Sequence, residues 1–285
     1  MAESLNLVGN GVWKSTDHGE SWFQLESTAN GELLQGINRI VVDPNDENVV
    51  VLCSNDSFAH LFVKGGVRKS AIFRTTDGGQ TWTQVYDPDL ALGTATDNRV
   101  QQIIANPQNF NTLYASVNEV GVIKSTDAGL TWQVSANNFA LPSDIGNPTG
   151  GGFGLAGISV RTEIAMAPTD TARIYAAVER PRGVADLYMT KDAGVNWVLV
   201  NDTGNDPNWF NSFGASGATG AYTAGWFDNT IAVHPFDKNV VFVGGVNIIV
   251  CLSTTSIMCV RRNFRRSGLV DLAYPPCTLI TTTCT

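Results

Sequence analysis

The sequence lacks long apolar runs and positive charge, and each absence excludes a class of protein. No run of about 18 apolar residues occurs, so we expect no membrane-spanning segment. Lys and Arg number 18 against 26 Asp and Glu, and residues 1–260 contain no basic stripe. Because nucleic-acid binding needs such a stripe to neutralise phosphates, we expect no nucleic-acid partner. The first residues, MAESLNLVGN, lack the charged start and apolar core of a signal peptide.

Metal-binding and cofactor-binding patterns are also missing. The five cysteines and three histidines form no Cys-x-x-Cys or His-Cys group with zinc spacing. The segment GNPTGGGFGLAG (146–157) matches Gly-x-Gly-x-x-Gly, but no strand pattern precedes it and no helix pattern follows it. This context excludes the dinucleotide interpretation and predicts a loop. We therefore expect neither a metal ion nor a cofactor.

What the sequence does contain is one eight-residue segment repeated four times. It occurs as STDHGESW (15–22), TTDGGQTW (75–82), STDAGLTW (125–132) and TKDAGVNW (190–197). We call each copy a box. Its Asp residues are 60, 50 and 65 residues apart, so the chain is a repeat protein.

A second motif, which predicts a β-hairpin, recurs between the boxes. INRIVVDP (37–44) and its three counterparts end in proline, with Ile40, Ile103, Ile164 or Ile231 four residues earlier. A second short β-branched run follows each proline, a third precedes each box, and a fourth starts at the box Trp. Four-stranded units at this spacing predict the antiparallel blades of an all-β propeller, because a radial stack buries faces that one small sheet leaves exposed.

The box residues have structural roles in this interpretation. We expect the Asp to accept hydrogen bonds from backbone N–H groups of the turn, the Gly to supply a positive φ, and the Trp to bury its ring between blades. The structural positions are Asp17, Gly19, Trp22, Asp77, Gly79, Trp82, Asp127, Gly129, Trp132, Asp192, Gly194 and Trp197.

The pattern Ser/Thr-x-Asp-x-Gly-x-Thr-Trp resembles the Asp-box, or BNR, repeat. That repeat is found in sialidases, xyloglucan-cleaving propeller glycosidases, sortilin-type receptors and a photosystem assembly factor. The resemblance covers residues 10–248, and the run 225–247 is most similar to large secreted bacterial propellers related to sortilin and the xyloglucanases. It implies an extracellular or periplasmic β-propeller. Since the family contains hydrolases, receptors and assembly factors, the resemblance does not select one function.

The two ends of the chain depart from the repeat. The N-terminal side enters at a third strand, GVWKS (11–15), and no box follows the hairpin at 228–243. Four of the five cysteines and a cluster of arginines fall in the last 35 residues. We therefore predict a propeller over 1–250 with incomplete first and last blades, about four to five blades in all, and an irregular tail over 251–285. The incomplete ends together amount to one blade, but we favour a partial propeller whose open edges at 10–25 and 228–250 invite association.

Long connections place a ligand face opposite the boxes. The connections at 53–71, about 85–99, 133–160 and 198–227 vary in length, whereas the box turns are short and uniform. One of them contains aromatic residues beside carboxylates, which suits a glycan or a peptide. The predicted ligand-binding residues are Trp209, Phe210, Tyr222, Trp226 and Phe227. The alternative is that these rings only cover the blade beneath them.

Hydrolysis of a glycan would require two carboxylates about 5–10 Å apart across the cleft. Asp97, Glu163 and Asp228 are candidates because they stand near the starts of innermost strands. A sialidase fits less well, since no Arg-Ile-Pro signature accompanies the inner-strand arginines. The sequence thus favours a secreted scaffold that binds a glycan or peptide, with a glycoside hydrolase of the xyloglucanase type as the alternative.

Overall fold

The structure is a computed structural model that describes eleven stretches of the chain. They are residues 9–29, 34, 36–55, 70–88, 99–118, 120–135, 161–180, 184–202, 229–245, 248–252 and 260–262. Within them the protein is almost entirely β. One helical turn, α1 (Glu26–Ala29), was not predicted from the sequence.

The strands form one two-stranded sheet and four four-stranded sheets, which we number as blades I to V in chain order. Blade I contains β1 (Trp13–Lys14) and β2 (Phe23–Gln24), and blade II contains β3 (Ile37–Asp43), β4 (Asp46–Asn55), β5 (Ser70–Thr75) and β6 (Thr83–Tyr86). Blade III contains β7 (Val100–Ala105), β8 (Leu113–Val117), β9 (Gly121–Ser125) and β10 (Gln133–Val134). Blade IV contains β11 (Thr162–Ala167), β12 (Asp170–Arg180), β13 (Val184–Thr190) and β14 (Trp197–Asp202). Blade V contains β15 (Thr230–Val233), β16 (Val240–Gly244), β17 (Ile248–Leu252) and β18 (Val260–Arg262).

Each complete blade is an antiparallel meander, and the first strands of successive blades lie side by side. β3 contacts β7, β7 contacts β11, and β11 contacts β15. The blades are therefore arranged around their inner strands, which is the architecture of a β-propeller. This confirms the predicted fold class.

The core lies between the blades. Ile103 packs with Val51 and Cys53 of the preceding blade, and Ile164 packs with Tyr114 and Val122. Ile231 likewise packs against blade IV. Ile40, the fourth member of the aligned set, is exposed. The motif that marks the inner strand thus also marks the inter-blade contact, except in blade II.

Cations on the third strands tie each blade to the box of the next. Lys14 Nζ donates to the Gly78 carbonyl at 3.4 Å, and Arg74 Nε donates to the Ala128 carbonyl at 3.0 Å. Lys124 Nζ repeats this contact with the Ala193 carbonyl at 3.0 Å. The fourth residue in this position is Met189, which precedes the blade whose sequence lacks a box.

The last blade differs from the sequence-based expectation. We expected residues beyond about 250 to leave the repeat, yet residues 251–252 extend β17 and residues 260–262 form β18. The run IIVCL pairs with β16 in an antiparallel register, which its β-branched residues favour and which requires no box. The two ends do not combine into one blade, because β1 pairs with β2 and β16 pairs with β17. The domain boundary at residue 250 remains a prediction.

The box tryptophans also differ from one another. Trp197 is buried with 4% of its surface exposed, whereas Trp22 is 59% exposed. Trp82 and Trp132 are half-buried against neighbouring clusters. The expectation that every box Trp is buried between blades is therefore wrong for Trp22.

No helix in the described stretches is long and apolar enough to cross a membrane.

Candidate functional site

Each box carboxylate holds its own turn. The Oδ1 atom of the Asp accepts a hydrogen bond from the backbone N–H four residues later at 2.8–2.9 Å, from Ser21, Thr81, Thr131 and Asn196. The Ser or Thr that opens the box donates its hydroxyl to the same atom. All four carboxylates are thus engaged within their own turns.

Two successive residues of every box have positive φ. Gly19 and Gly194 have φ of 90° and 89°, as the turn was expected to require. The residue before each glycine is also left-handed, including Ala128 and Ala193, both with φ of 57°. Sequence reasoning missed this second position, because alanine rarely adopts the conformation. Its carbonyl accepts the hydrogen bond from the cation of the preceding blade.

The hydrogen bonds lower the pKa of the box acids. Those from Ser21 and Ser15 lower the pKa of Asp17 from 3.8 to about 2. The pKa of Asp192 is lowered chiefly by the backbone N–H of Asn196. Burial raises the pKa of Asp127, but the hydroxyl and N–H of Thr131 outweigh it and leave the pKa lowered. The hydroxyl of Thr75 is the main cause of the lowered pKa of Asp77.

These lowered pKa values predict acid sensitivity. An Asp whose folded pKa is below its unfolded value of 3.8 stabilises the fold above about pH 4. That contribution is lost as pH falls through the folded pKa, so we expect the melting temperature to drop between about pH 4 and pH 2. Asp127→Asn should make the drop shallower, while Glu47→Gln, a change at an exposed carboxylate, should leave the slope unchanged. Equal slopes for Asp127→Asn and wild type, measured by thermal melts at each pH, would contradict this assignment.

A separate group of charges lies at the opposite ends of the inner strands. The boxes contact the turns between first and second strands, through Gly78 N to Asn48 O and Ala193 N to Ala172 O. The starts of β3, β7 and β11 are therefore on the face away from the boxes. The boxes and the starts of the inner strands therefore lie on opposite faces of the blades.

Glu163 is the centre of this group. It lies on β11 with only 2% of its surface exposed. Arg161 donates to its Oε1 through Nη2 at 2.9 Å and Nε at 3.2 Å, while Arg39 Nη2 lies 3.5 Å from its Oε2. Arg39 belongs to blade II and Glu163 to blade IV, so the ion pair directly joins two blades that blade III separates in the sequence. We call these three residues the axial cluster.

Polar side chains join the inner strands around the axial cluster. Asn38 Nδ2 donates to the Val100 carbonyl at 3.3 Å, and Asn229 Nδ2 donates to the Ala177 carbonyl at 2.8 Å and the Arg161 carbonyl at 3.5 Å. Gln101 Nε2 donates to Asn118 Oδ1 at 3.0 Å. The contacts to Val100 and Arg161 join neighbouring inner strands, whereas those to Ala177 and Asn118 join an inner strand to the end of a second strand.

Burial acts on the carboxyl of the axial cluster. Desolvation raises the pKa of Glu163 above its ordinary value, against the opposing effect of Arg161 and Arg39. Both of its carboxylate oxygens already have guanidinium partners. Glu163 therefore has the geometry of a residue that orients the two arginines.

The neighbouring thiol is inert. Cys53 is buried and free, and its burial raises the pKa of the thiol to about 12. Because the thiolate is the nucleophile, this cysteine is unsuited to covalent chemistry at neutral pH. Within the described stretches no group of three or more His, Cys, Asp and Glu side chains could hold a metal ion.

Most of the site residues expected from the sequence lie outside the described residues. Glu163 is the exception among the carboxylates, since Asp97 and Asp228 fall in undescribed stretches. The same is true of the aromatic set Trp209, Phe210, Tyr222, Trp226 and Phe227. The described neighbours of the two acids, Arg99 and Asn229, do stand at the starts of inner strands. Their proposed roles remain predictions.

A small cavity lies on the other face, between the boxes of blades III and IV. Its volume is about 190 Å³, and its lining includes Lys124, Gln133, Ser135 and Val195. Ligand pockets usually measure about 300–1,000 Å³, and no carboxylate lines this one. This cavity is a gap between box turns, and the axial cluster is the better candidate site.

The fold and the axial cluster define a β-propeller with a polar centre on the face opposite its boxes. No family model matches the chain. Its sequence is nevertheless similar to three curated xyloglucanases.

The three relatives are a bacterial and two fungal proteins. A xyloglucanase of Paenibacillus sp is 23% identical over 94% of this chain and 28% of that protein. A probable oligoxyloglucan-reducing end-specific xyloglucanase of Neosartorya fischeri is 28% identical over 59% of this chain and 18% of that protein. The oligoxyloglucan-reducing end-specific xyloglucanase of Emericella nidulans is 24% identical over 68% and 21%. The chain thus spans between 18% and 28% of the length of these relatives.

Solved structures give partial overlays. The GH74 xyloglucanase of Xanthomonas campestris is 15% identical, with a TM-score of 0.35 over 87% of this chain and 50% of that one. YCF48 bound to D1 peptide is 15% identical, with a TM-score of 0.47 over 86% of this chain and 59% of that one.

Proposed function

We propose that the chain is part of a glycoside hydrolase of the xyloglucanase type. The observation that carries this proposal is the sequence similarity to three xyloglucanases, one of which aligns with 94% of the chain. Xyloglucan is accordingly the proposed substrate. Membership of the Asp-box class and an extracellular or periplasmic location belong to the same proposal.

The active face in this proposal is the one opposite the boxes. Asp228 directly precedes Asn229, whose side chain donates to the Arg161 carbonyl beside Glu163. Asp97 stands two residues before Arg99, at the start of the neighbouring inner strand. We propose Asp228 and Asp97 as the carboxylates that act on the glycosidic bond. Glu163 is then a positioning residue, because the arginines of the axial cluster already occupy its oxygens.

The aromatic residues of the 201–228 connection would hold the sugar. Flat rings stack on the C–H faces of pyranose rings, and carboxylates beside them accept hydrogen bonds from the sugar hydroxyls.

The second candidate function, a scaffold that binds a glycan or peptide without cleaving it, is favoured by one observation. Glu163 is the described carboxylate at the inner-strand starts, and its oxygens are already in ion pairs.

Substitutions on this face separate the two functions. Trp209→Ala or Trp226→Ala should weaken xyloglucan binding by about 1–3 kcal/mol, because each removes a stacking surface. Asp228→Asn should lower the rate of cleavage by at least about 100-fold and leave affinity nearly unchanged if the chain is a hydrolase. Binding is measured by titration calorimetry and cleavage by release of reducing ends.

Phe236→Ala is the matched aromatic control, because Phe236 is 84% exposed in the turn between β15 and β16 on the box face. It should change neither quantity. Binding without cleavage in the wild type, with weaker binding in Asp228→Asn, would favour the scaffold. The absence of binding to xyloglucan and to a glycan and peptide panel would contradict both functions.

A further inference from the structure

The box face has two cavities at equivalent places in the repeat. The larger one, of about 190 Å³, lies between blades III and IV, and the smaller one, of about 90 Å³, lies between blades II and III. Each is bounded by the third-strand cation of one blade and by the box of the next, with Lys124 in the larger cavity and Arg74 in the smaller one. The two cavities therefore differ only in the side chains that line them.

Two positions on the fourth strand distinguish the cavities. Gln133 and Ser135 line the larger cavity, whereas Thr83 and Val85 line the smaller one at the aligned positions. The larger cavity thus has a carboxamide and a hydroxyl where the smaller one has a hydroxyl and an isopropyl group. The larger cavity is therefore the more polar of the two.

Some polar groups in the larger cavity are available to a ligand. Thr126 and Gln133 are exposed, and their side chains form no hydrogen bond with the described part of the chain. Lys124 Nζ donates to one backbone carbonyl of box IV at 3.0 Å, which leaves its other protons available. Ser135 Oγ donates to another carbonyl of that box at 3.0 Å and keeps its lone pairs. The cavity thus offers both hydrogen-bond donors and acceptors.

An apolar surface lies beside these polar groups. Val195 lines the cavity and is 50% exposed, and no carboxylate is among the described residues of the lining. The hydroxyls of a sugar both donate and accept hydrogen bonds, and its C–H groups are apolar, whereas an oxyanion uses donors alone. The lining therefore matches a sugar better than an anion.

We propose that the cavity between blades III and IV binds one sugar residue of a neutral glycan, and we call it the inter-box site. Its volume is below the about 300–1,000 Å³ of sites for larger ligands, so the site takes a single ring. Gln133 and Thr126 supply the directional hydrogen bonds, and Val195 contacts the C–H face of the ring. The inter-box site lies on the face opposite the proposed active site and is a second glycan site.

Titration of the full chain with D-glucose, followed by NMR, tests the proposal. The methyl signals of Val195 should shift with glucose concentration and give a Kd of about 1–10 mM, because a ligand of this size has few atoms with which to gain affinity. Gln133→Ala and Thr126→Val should each weaken the affinity about five-fold, the typical effect of one lost hydrogen bond. Both positions are exposed, so the melting temperatures should equal that of the wild type.

Thr76→Val is the matched control, because Thr76 is the exposed residue of the smaller cavity that aligns with Thr126. It should leave the affinity unchanged. Val195 signals that do not move at glucose concentrations well above the expected Kd would overturn the proposal, as would an affinity that both Gln133→Ala and Thr126→Val leave intact. D-glucuronate differs from glucose by one carboxylate, and tighter binding of it would assign the cavity to an acid instead.

Cleavage of xyloglucan is a separate measurement. Gln133→Ala should leave it unchanged, because the inter-box site is on the box face. A chain that binds glucose at Val195 but cleaves no glycan would contradict the proposed function alone. A chain that cleaves xyloglucan without a shift of the Val195 signals would contradict the inter-box site alone.

Discussion

Replacing Glu163 with alanine is expected to lower the free energy of unfolding by about 3 kcal/mol, because it removes the acceptor of two hydrogen bonds from the partly buried Arg161 guanidinium. Arg161 donates two hydrogen bonds to this carboxylate. Loss of the contact to Arg39 costs less stability, because the Arg39 side chain is 45% exposed and can be solvated. Chemical denaturation monitored by tryptophan fluorescence measures the change.

Glu163→Gln separates hydrogen bonding from charge. Burial raises the pKa of Glu163, so ionising this carboxyl is less favourable in the folded protein than in the unfolded chain. A neutral amide that still accepts from Arg161 should therefore cost less than about 1 kcal/mol. Glu47→Ala, at an exposed carboxylate, should change stability by no more than about 0.5 kcal/mol. If Glu163→Gln destabilised the protein as much as Glu163→Ala, the negative charge itself would be the stabilising feature.

The pH dependence of Glu163 has the opposite sign from that of the box acids. Its folded pKa lies above the ordinary value of 4.5, so ionisation destabilises the fold as pH rises from below 4.5 through the folded pKa. The box acids lose their contribution as pH falls. The box acids thus favour stability at higher pH, whereas Glu163 favours it at lower pH.

Local features were predictable because their partners are close in sequence. A box Asp bonds to the residue four positions later, so the segment STDAGLTW contains its own hydrogen-bond partners. The I-x-x-x-P motif likewise predicts a hairpin within one stretch of chain. The four-strand unit and the propeller fold follow from repetition of these local patterns.

Features that depend on neighbouring blades were not predictable in the same way. Trp22 and Trp197 occupy the same box position, yet only Trp197 is buried, because the surroundings of the two rings differ. The pairing of Arg39 with Glu163 joins residues 124 positions apart. The sequence predicted that the starts of the inner strands lie at the same end of the propeller. Which side chains meet there depends on the angle between blades.

Blade V shows that a repeat can lack the box sequence and still form its strands. Sequence analysis used the box to define a blade, and the missing box suggested an irregular end. Strand pairing depends on backbone hydrogen bonds and β-branched residues, both of which β17 provides opposite β16. The box stabilises a turn and receives the cation of the preceding blade, and neither role is required for the sheet itself.

A pair of glycine substitutions measures what the box contributes between blades. Gly129→Ala is expected to lower the free energy of unfolding by about 2–5 kcal/mol, the sum of a left-handed backbone cost and an overpacking cost. Its φ is 83°, and a Cβ there would lie 2.8 Å from Cγ2 of Val51 in the preceding blade. Gly19 has a similar φ of 90°, but its Cβ would meet nothing nearer than Trp22 at 3.8 Å.

Gly19→Ala should therefore carry the backbone cost alone, about 1–2 kcal/mol, and the difference between the two variants measures the packing around Gly129 against Val51 of blade II and Leu113 of blade III. Ala128→Gly serves as the control for the turn, because it relieves a left-handed alanine and should stay within about 1 kcal/mol of wild type. Equilibrium unfolding measures the free energy of unfolding of the three variants. Equal losses for Gly129→Ala and Gly19→Ala would mean that the close packing of Gly129 against Val51 and Leu113 adds no measurable cost to that of the backbone.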